Sequence, residues 1–494
     1  MTGDTDRTTV GQLPDTTRSP PRLPAALTWL VWLVWLLSLG AIGARLAAGD
    51  GWTPAGLLVV DGLTVLLWAV VSFFAGIVHS YSRRYMAGSE HATRFFYRLF
   101  GFTLTVLLLV AADHVLLFGV AWLVMGLVMA DLVGTVQGWP QARAAAAYTR
   151  RYFLTSSLLL GVALAVLVWG TGASTVSGTT AAVDSLSAPV WVVAATALLL
   201  AAMVQSALVP FQSWLLASMT APTPASALMH AGFVNAGGIL LLRFAPVVTA
   251  DSRFTLVVVA VGALSALLGT LLEAVQTDVK GQLACSTTGQ MGFMILQAGL
   301  GFFGAAITHL VLHGFYKAYL FLGSGSVVEQ TSPAGSTPDP PGVAAGLLTV
   351  LTAAAGGVLF ALLTGKGTAV DSGLLLTGLV VVTTLHATGS VARRRSVPSP
   401  LRYVALPAVF LAAIAVYAAV YTAVTGLLAD DLLVTVPADL TVVHVGVTAA
   451  FAGAYVVVET GVYRRSRRLY VLLLNATQPP ARTLTTTAEE YSES

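Results

Sequence analysis

Three titratable side chains, His309, His313 and Lys317, recur every four residues in the stretch AAITHLVLHGFYKAYLFLG. On a helix this spacing sets them along one face over about 12 Å. Imidazoles titrate near neutrality, and burial lowers a lysine's pKa enough for it to release and rebind a proton, which arginine cannot do. The row therefore has the chemistry of a proton relay. The whole chain holds three lysines, Lys280, Lys317 and Lys366, among 25 basic residues. A competing reading has the histidines bonding carbonyls across a helix interface and Lys317 snorkelling to water. Lys317 is mid-segment among Tyr316, Tyr319 and Phe321, which makes snorkelling hard.

A second cluster lies in LLEAVQTDVKGQLACSTTGQMGF: Glu273, Gln276, Thr277, Asp278 and Lys280. Glu273, Gln276, Thr277 and Lys280 fall at i, i+3, i+4 and i+7, which predicts one shared helix face. An ordinary polar loop between two spans is the equal alternative. The third cluster is SALVPFQSWLLASMTAPTPASALMHAGFVNAGG. Pro210 interrupts one apolar helix, and Pro222 and Pro224 start another that carries His230 and Asn235. Broken helices expose backbone groups that line ion paths in membrane bundles. A simple re-entrant turn with a core histidine is the plainer reading. Asp131 is expected to pair with a buried base or to reach the membrane interface. Asp61, His386, His444 and Glu459 read as making structural hydrogen bonds, and Lys366, in a Gly-rich loop, reads as solvated.

The elements that must position these groups are transmembrane helices. Hydrophobic residues make up 56% and charged residues 10%, with mean hydropathy +0.82. A soluble domain carries about 25% charged residues. About 20 apolar residues cross the hydrocarbon core. Fourteen segments qualify, at about 24–46, 56–79, 97–112, 114–137, 152–171, 189–209, 224–246, 254–277, 283–302, 304–327, 343–364, 371–391, 402–426 and 440–462. The expected fold is an all-α integral membrane bundle of about 14 helices with at least one broken.

The net charge of +3 reads as topology. Arg83 and Arg84, Arg143, Arg150 and Arg151, Arg393 to Arg395, and Arg464 to Arg468 follow alternate segments, so all fall on one side. The segments 172–188 and 427–439 between them hold acids and no base. The positive-inside rule puts the basic loops and both termini in the cytoplasm and the chain in the cell membrane. The lone Cys285 excludes an intramolecular disulfide and a cysteine zinc site. No cleavable signal is expected, because the first 23 residues are polar and the apolar run after them is too long. Asn475-Ala-Thr477 matches a glycosylation acceptor but lies on the cytoplasmic side.

Residues 1–23 read as a disordered cytoplasmic tail, 24–463 as the transmembrane domain and 464–494 as a second tail. Within the domain, 330–342 (QTSPAGSTPDPPG) is a linker between a motif-rich part, 56–329, and a bland helical part, 343–463. No phosphate loop, dinucleotide fingerprint, clustered metal ligands or nucleophile elbow appears. An enzyme acting alone is not expected, and no catalytic or metal residue is assigned.

Four stretches resemble the antiporter-like subunits of respiratory complex I and of multi-subunit sodium/proton antiporters: VVDGLTVLLWAVVSFFAGIVHSYSRRYMAG, VPFQSWLLASMTAPTPASALMHA, QTDVKGQLACSTTGQMGFM and THLVLHGFYKAYLFLGSGSV. The resemblance implies that Lys280 belongs to a proton path, that His309, His313 and Lys317 form its centre, and that His230 is the broken-helix histidine. Two positions depart from the family. Gln205 stands where a lysine is usual, and Trp122-Leu123 stands where a Trp-Glu pair is usual. Asp131, two turns further on, is the candidate replacement acid.

Lys280-Gly281 and the run from Thr288 to Met294 are similar to the branch of membrane subunits of two-component inorganic carbon transporters. That likeness implies a cation-conducting, proton-driven subunit of an energy-coupled CO2/bicarbonate pump. It also implies a large zinc partner resembling a β-carbonic anhydrase on the cytoplasmic side, with no cofactor in this chain. A proton-translocating subunit of a complex I-like or Mrp-type assembly is the alternative. A non-transporting scaffold would leave the Lys317 helix unexplained.

Overall fold

A computed structural model of the chain describes residues 22–49, 51–324, 343–392, 405–429 and 432–483. Long apolar runs become long helices because only a helix satisfies every backbone polar group inside lipid. The first five are α1 (Arg22–Ala48), α2 (Gly62–Tyr85), α3 (Ala92–Ala111), α4 (Val115–Val133) and α5 (Pro140–Thr171). A short α6 (Val176–Ala181) leads to α7 (Ala188–Gln205) and α8 (Ser213–Ala217). The next span is broken into α9 (Thr223–Ala231) and α10 (Ala236–Arg243), joined by a tight turn, and α11 (Ala245–Thr249) follows. Then come α12 (Ser252–Glu273), α13 (Val279–Gly299), α14 (Phe303–Gly323), α15 (Val343–Thr364), α16 (Ser372–Ala392), α17 (Leu406–Leu428) and α18 (Val442–Thr460). Short α19 (Val462–Arg465) and α20 (Arg467–Ala476) complete the described chain.

Each of the fourteen predicted segments overlaps a helix. Among the described residues, twelve helical segments are long and apolar enough to cross a membrane. The two others, α13 and α14, carry Lys280 of the second cluster and the row His309, His313 and Lys317. The linker 330–342, the tail up to residue 21 and Arg393 to Arg395 lie outside the described residues.

Side-chain distribution is inverted relative to a soluble protein. Trp29, Leu158 and Trp169 are at least 70% exposed, whereas Lys317 and His230 are fully buried. Apolar faces turn outward to lipid, and ionisable groups turn inward.

Hydrogen bonds to the backbone define the two ends of the bundle. At one end Val59 donates to Ala111 O, His114 to Leu57 O and Val115 to Ser174 O, and Ser372 donates to Ala438 O and Val436 to Gly301 O. At the other, Lys280 donates to Met219 O and Ala221 O, and the Thr223 amide to the Tyr85 hydroxyl.

Helix starts follow their caps. Asp61, Asp251 and Asp278 each accept a backbone N–H from the first turn of α2, α12 and α13, at 2.8, 2.7 and 2.7 Å. A carboxylate there also complements the helix dipole. Asp278 corrects an expectation. The chain turns between Glu273 and Val279, so Glu273, Gln276, Thr277 and Lys280 do not share one helix face.

Two glycine contacts fix the pair that carries the site. A Cβ on Gly269 of α12 would sit 2.3 Å from the Gly289 amide nitrogen of α13, and one on Gly292 would sit 2.3 Å from that of Ala266. Small residues let these backbones touch.

Candidate functional site

Lys317 lies two-thirds of the way along α14 and is completely buried. Its Nζ donates to the Leu283 carbonyl of α13 at 3.0 Å. The Thr287 hydroxyl donates to the same carbonyl at 2.7 Å. With its hydrogen committed, Thr287 Oγ1 accepts from His230 Nδ1, 3.0 Å away on the broken α9. His230 in its neutral form then carries its proton on Nδ1 and turns Nε2 outward as an acceptor. That Nε2 is buried without a protein partner. The ring stacks on Phe321 of α14, with centroids 4.3 Å apart. Three helices thus meet at one carbonyl.

One turn along α14 from Lys317 is His313, and one turn further is His309. Their rings stack at 5.8 Å, and both ring nitrogens of His313 are buried without protein partners. His309 lines a cavity of about 240 Å3 together with Gln297, Thr384 and Tyr417.

Tyr421, one turn from Tyr417 on α17, carries Lys366 over its ring, with Nζ 3.4 Å from the centroid and 5.2 Å from that of Phe302. The expectation of a solvated Lys366 is wrong. The residue is only 6% exposed, and burial pushes its amine from 10.5 down to about 8. The Gly-rich loop of Lys366 folds over α17, so composition misled where a cation–π contact decides. Sequence reasoning missed Lys366 because Tyr421 lies 55 positions away; an isolated lysine in a chain so poor in lysine was the available signal.

At the opposite end, Lys280 reaches the carbonyls of Met219 and Ala221 at 3.2 and 3.4 Å, beside Pro222. It opens on a vestibule of about 1060 Å3, lined also by Tyr85, Gln276, Asp278 and Thr477. The second and third clusters therefore meet here. Pro222 and Pro224 start α9, which holds His230, and Pro210 lies in the turn between α7 and α8.

The remaining candidates are placed differently. Gln205 ends α7, buried, with its amide nitrogen unpartnered. Asp131 gives its carboxylate to Arg150 at 2.7 Å and Arg98 at 3.5 Å, near the basic end, and makes no ion pair with a lysine. Trp122 donates to Ser156 at 3.1 Å and borders a small apolar cavity of about 50 Å3 with Phe118, Met125 and Phe233. Asp61 is buried against Arg243, which also donates to Thr64 and to Val110 O. His444 bonds Thr441, while His386 and Glu459 bond each other at 2.8 Å.

A bundle of apolar helices with a broken span and buried lysines and histidines defines a multi-pass membrane protein with titratable groups in its interior. Residues 112–339 match the family model "NADH:quinone oxidoreductase/Mrp antiporter, TM", and residues 53–96 match "NADH-Ubiquinone oxidoreductase (complex I), chain 5 N-terminus". Over these residues the chain is similar to the antiporter-like membrane subunits that the two models describe.

Among its relatives, "Probable inorganic carbon transporter subunit DabB1" of Halothiobacillus neapolitanus is 38% identical over 58% of this chain and 52% of its own length. The subunit DabB of Bacillus subtilis is 38% identical over 55% of this chain and 54% of its own. NADH-quinone oxidoreductase subunit L of Mycobacterium tuberculosis is 39% identical over 56% and 45%. The chain spans about half the length of these relatives. In fold it is similar to a chain of the Mrp complex from Dietzia, with TM-score 0.54 and 24% identity, covering 92% of this chain and 51% of that one.

Proposed function

We propose that this chain is the proton-conducting membrane subunit of an energy-coupled inorganic carbon pump. The observation that carries the reading is the file of buried titratable and polar groups running the length of the bundle. From one end it passes Lys366, Tyr421, Tyr417 and Gln297 to His309, His313 and Lys317. It continues through the Leu283 carbonyl, Thr287 and His230 to Lys280 and its vestibule. A proton entering at Lys366 moves down its gradient by successive protonation of neutral neighbours. Lys317 and His230 both donate into the Leu283–Thr287 bridge, which fixes them relative to each other, and the proton enters His230 at its free Nε2. The basic loops face the cytoplasm of a cell membrane, so Lys280 delivers the proton there.

The partner is a DabA-like zinc subunit on that side, which converts CO2 to bicarbonate while the proton flux makes the reaction one-way. The DabB-named relatives and the missing acid at Trp122-Leu123 support this branch. A proton-translocating subunit of a complex I-like or Mrp-type assembly is the second reading, favoured by the 39% identity to subunit L.

The test is growth in ambient air of a carbonic-anhydrase-deficient bacterium expressing this chain with and without its neighbouring gene. Growth should need both proteins and vanish with an uncoupler or with Lys317→Ala at equal membrane levels. Growth untouched by Lys317→Ala would sink the relay; no growth with both proteins assembled would move the reading to sodium/proton exchange.

A further inference from the structure

The chain returns to the Lys280 vestibule after it has left the long helices. Past α18, the short α20 packs on α12 with Leu473 buried, and Thr477, one turn further on the same face, is only 4% exposed. Thr477 ends that helix, its amide and hydroxyl both donating to Leu474 O, at 3.1 and 2.7 Å. Gln478-Pro479-Pro480 follows. Each proline fixes its φ at about −65° and disfavours helix in the residue before it, so the stretch is a stiff spacer. Ala481–Thr483 then forms a single tight turn that packs on α5. The Thr483 amide and hydroxyl both donate to Pro480 O, at 2.8 and 2.7 Å, and the residue is 5% exposed.

The two anchors of this segment stand on different walls of the vestibule. The turn between α12 and α13 contributes Gln276 and Lys280 to it, and the turn between α4 and α5 contributes Trp139. Thr477, Pro479 and Thr483 line the same space. The segment therefore runs from the α12 wall to the α5 wall with the vestibule on its inner side. A buried threonine at each end and two prolines between them hold it there, and the prolines keep the entropy lost on docking small.

We propose that residues 477–483 are a strap across the mouth of the Lys280 vestibule, an autoinhibitory contact that limits how fast Lys280 exchanges with the water outside. With the strap docked, solutes reach Lys280 only through the space left beside it. When the Thr483 turn lifts from α5, the whole mouth opens. The α12 anchor lies before the two prolines and the α5 anchor after them, so the strap lifts as a stiff unit about Thr477. The covering does not depend on what Lys280 does; its inhibitory consequence rests on the reading of Lys280 as the exit of the proton path.

The test uses the full chain in lipid nanodiscs, timed acylation with an N-hydroxysuccinimide ester, and peptide mass spectrometry. Labelling samples the open population, so weakening the dock raises it in proportion. Thr483→Arg puts a charged chain where the native residue is 5% exposed. Pro479→Gly combined with Pro480→Gly makes the spacer flexible. Either change should speed Lys280 acylation about tenfold and leave Lys366, at the far end of the bundle, at its wild-type rate. Thr483→Ser, which keeps the bond to Pro480 O, should label as wild type. Proton flux into liposomes at equal protein should rise in the two loosened variants. Lys280 labelling unchanged in both folded variants overturns the proposal. So does acceleration of Lys280 and Lys366 together, since the segment would then clamp the whole fold. Faster Lys280 labelling beside a wild-type flux that the variants do not alter removes the inhibitory role and overturns it as well. Faster labelling with no flux in any of the proteins leaves the strap standing and sinks the proton-exit reading.

Discussion

The proposed relay depends on which side chains can change charge, and Lys366 makes the point quantitatively. An amine pushed down from 10.5 to about 8 is charged in both folded and unfolded chains below about pH 8, where its burial destabilises the fold in full. Between pH 8 and 10.5 the unfolded chain holds more protons, so stability rises with pH across that window. Lys366→Met is therefore expected to raise the unfolding temperature in detergent at pH 7, and to raise it less at pH 10. Equal gains at the two pH values would mean that the charge is not what burial strains.

The His309, His313 and Lys317 file was legible in the sequence because a four-residue spacing maps directly onto one helix face. The burial of Lys366 was not, since its aromatic cover comes from α17. His386 and Glu459 were likewise read singly, because nothing in a sequence joins residues 73 positions apart.

At the scale of elements, two devices hold the broken helix and its neighbours in place. Asp61 at the start of α2 and Arg243 at the end of α10 are both under 10% exposed and form a charge pair. Removing one partner leaves a buried charge, so Asp61→Leu or Arg243→Leu alone is expected to cost about 3–5 kcal/mol. The double variant should recover most of that loss; a double-mutant cycle in thermal unfolding measures it, and strictly additive losses would argue against direct pairing.

The α12–α13 contact is the second device. Gly292→Val should force the helices apart at a cost of about 1–3 kcal/mol or more. It should also reduce proton flux by tilting Leu283 and Thr287 away from Lys317, read as lower flux at equal membrane protein. Helix positions were legible from apolar runs. The turn at residues 274–278 was legible only as one of two equal readings, because no Gly or Pro marks it and the polar spacing also fits one helix face.

For the whole molecule, orientation is the main prediction. In a Cys285→Ser background, Ser185→Cys should react with a membrane-impermeant maleimide in intact cells. Glu90→Cys should react only after the membrane is opened, and the reverse pattern would invert the proposed direction of proton flow. The overall class was legible from composition alone, since 56% hydrophobic residues with 10% charged leave little alternative to a lipid-facing bundle. The two helices below the apolarity expected of a span are α13 and α14. Their polar content is what the site needs and what weakens their signature.

The sparing use of lysine has a practical corollary. One primary-amine side chain sits at each end of the bundle and one at its centre, so every lysine an amine-selective reagent can meet belongs to the proposed path. Lys280, open to its vestibule, should acylate first, Lys366 more slowly and in proportion to its neutral fraction, and Lys317 last. Peptide mass spectrometry after timed labelling would thus read the accessibility of the path, station by station, in the unmutated protein.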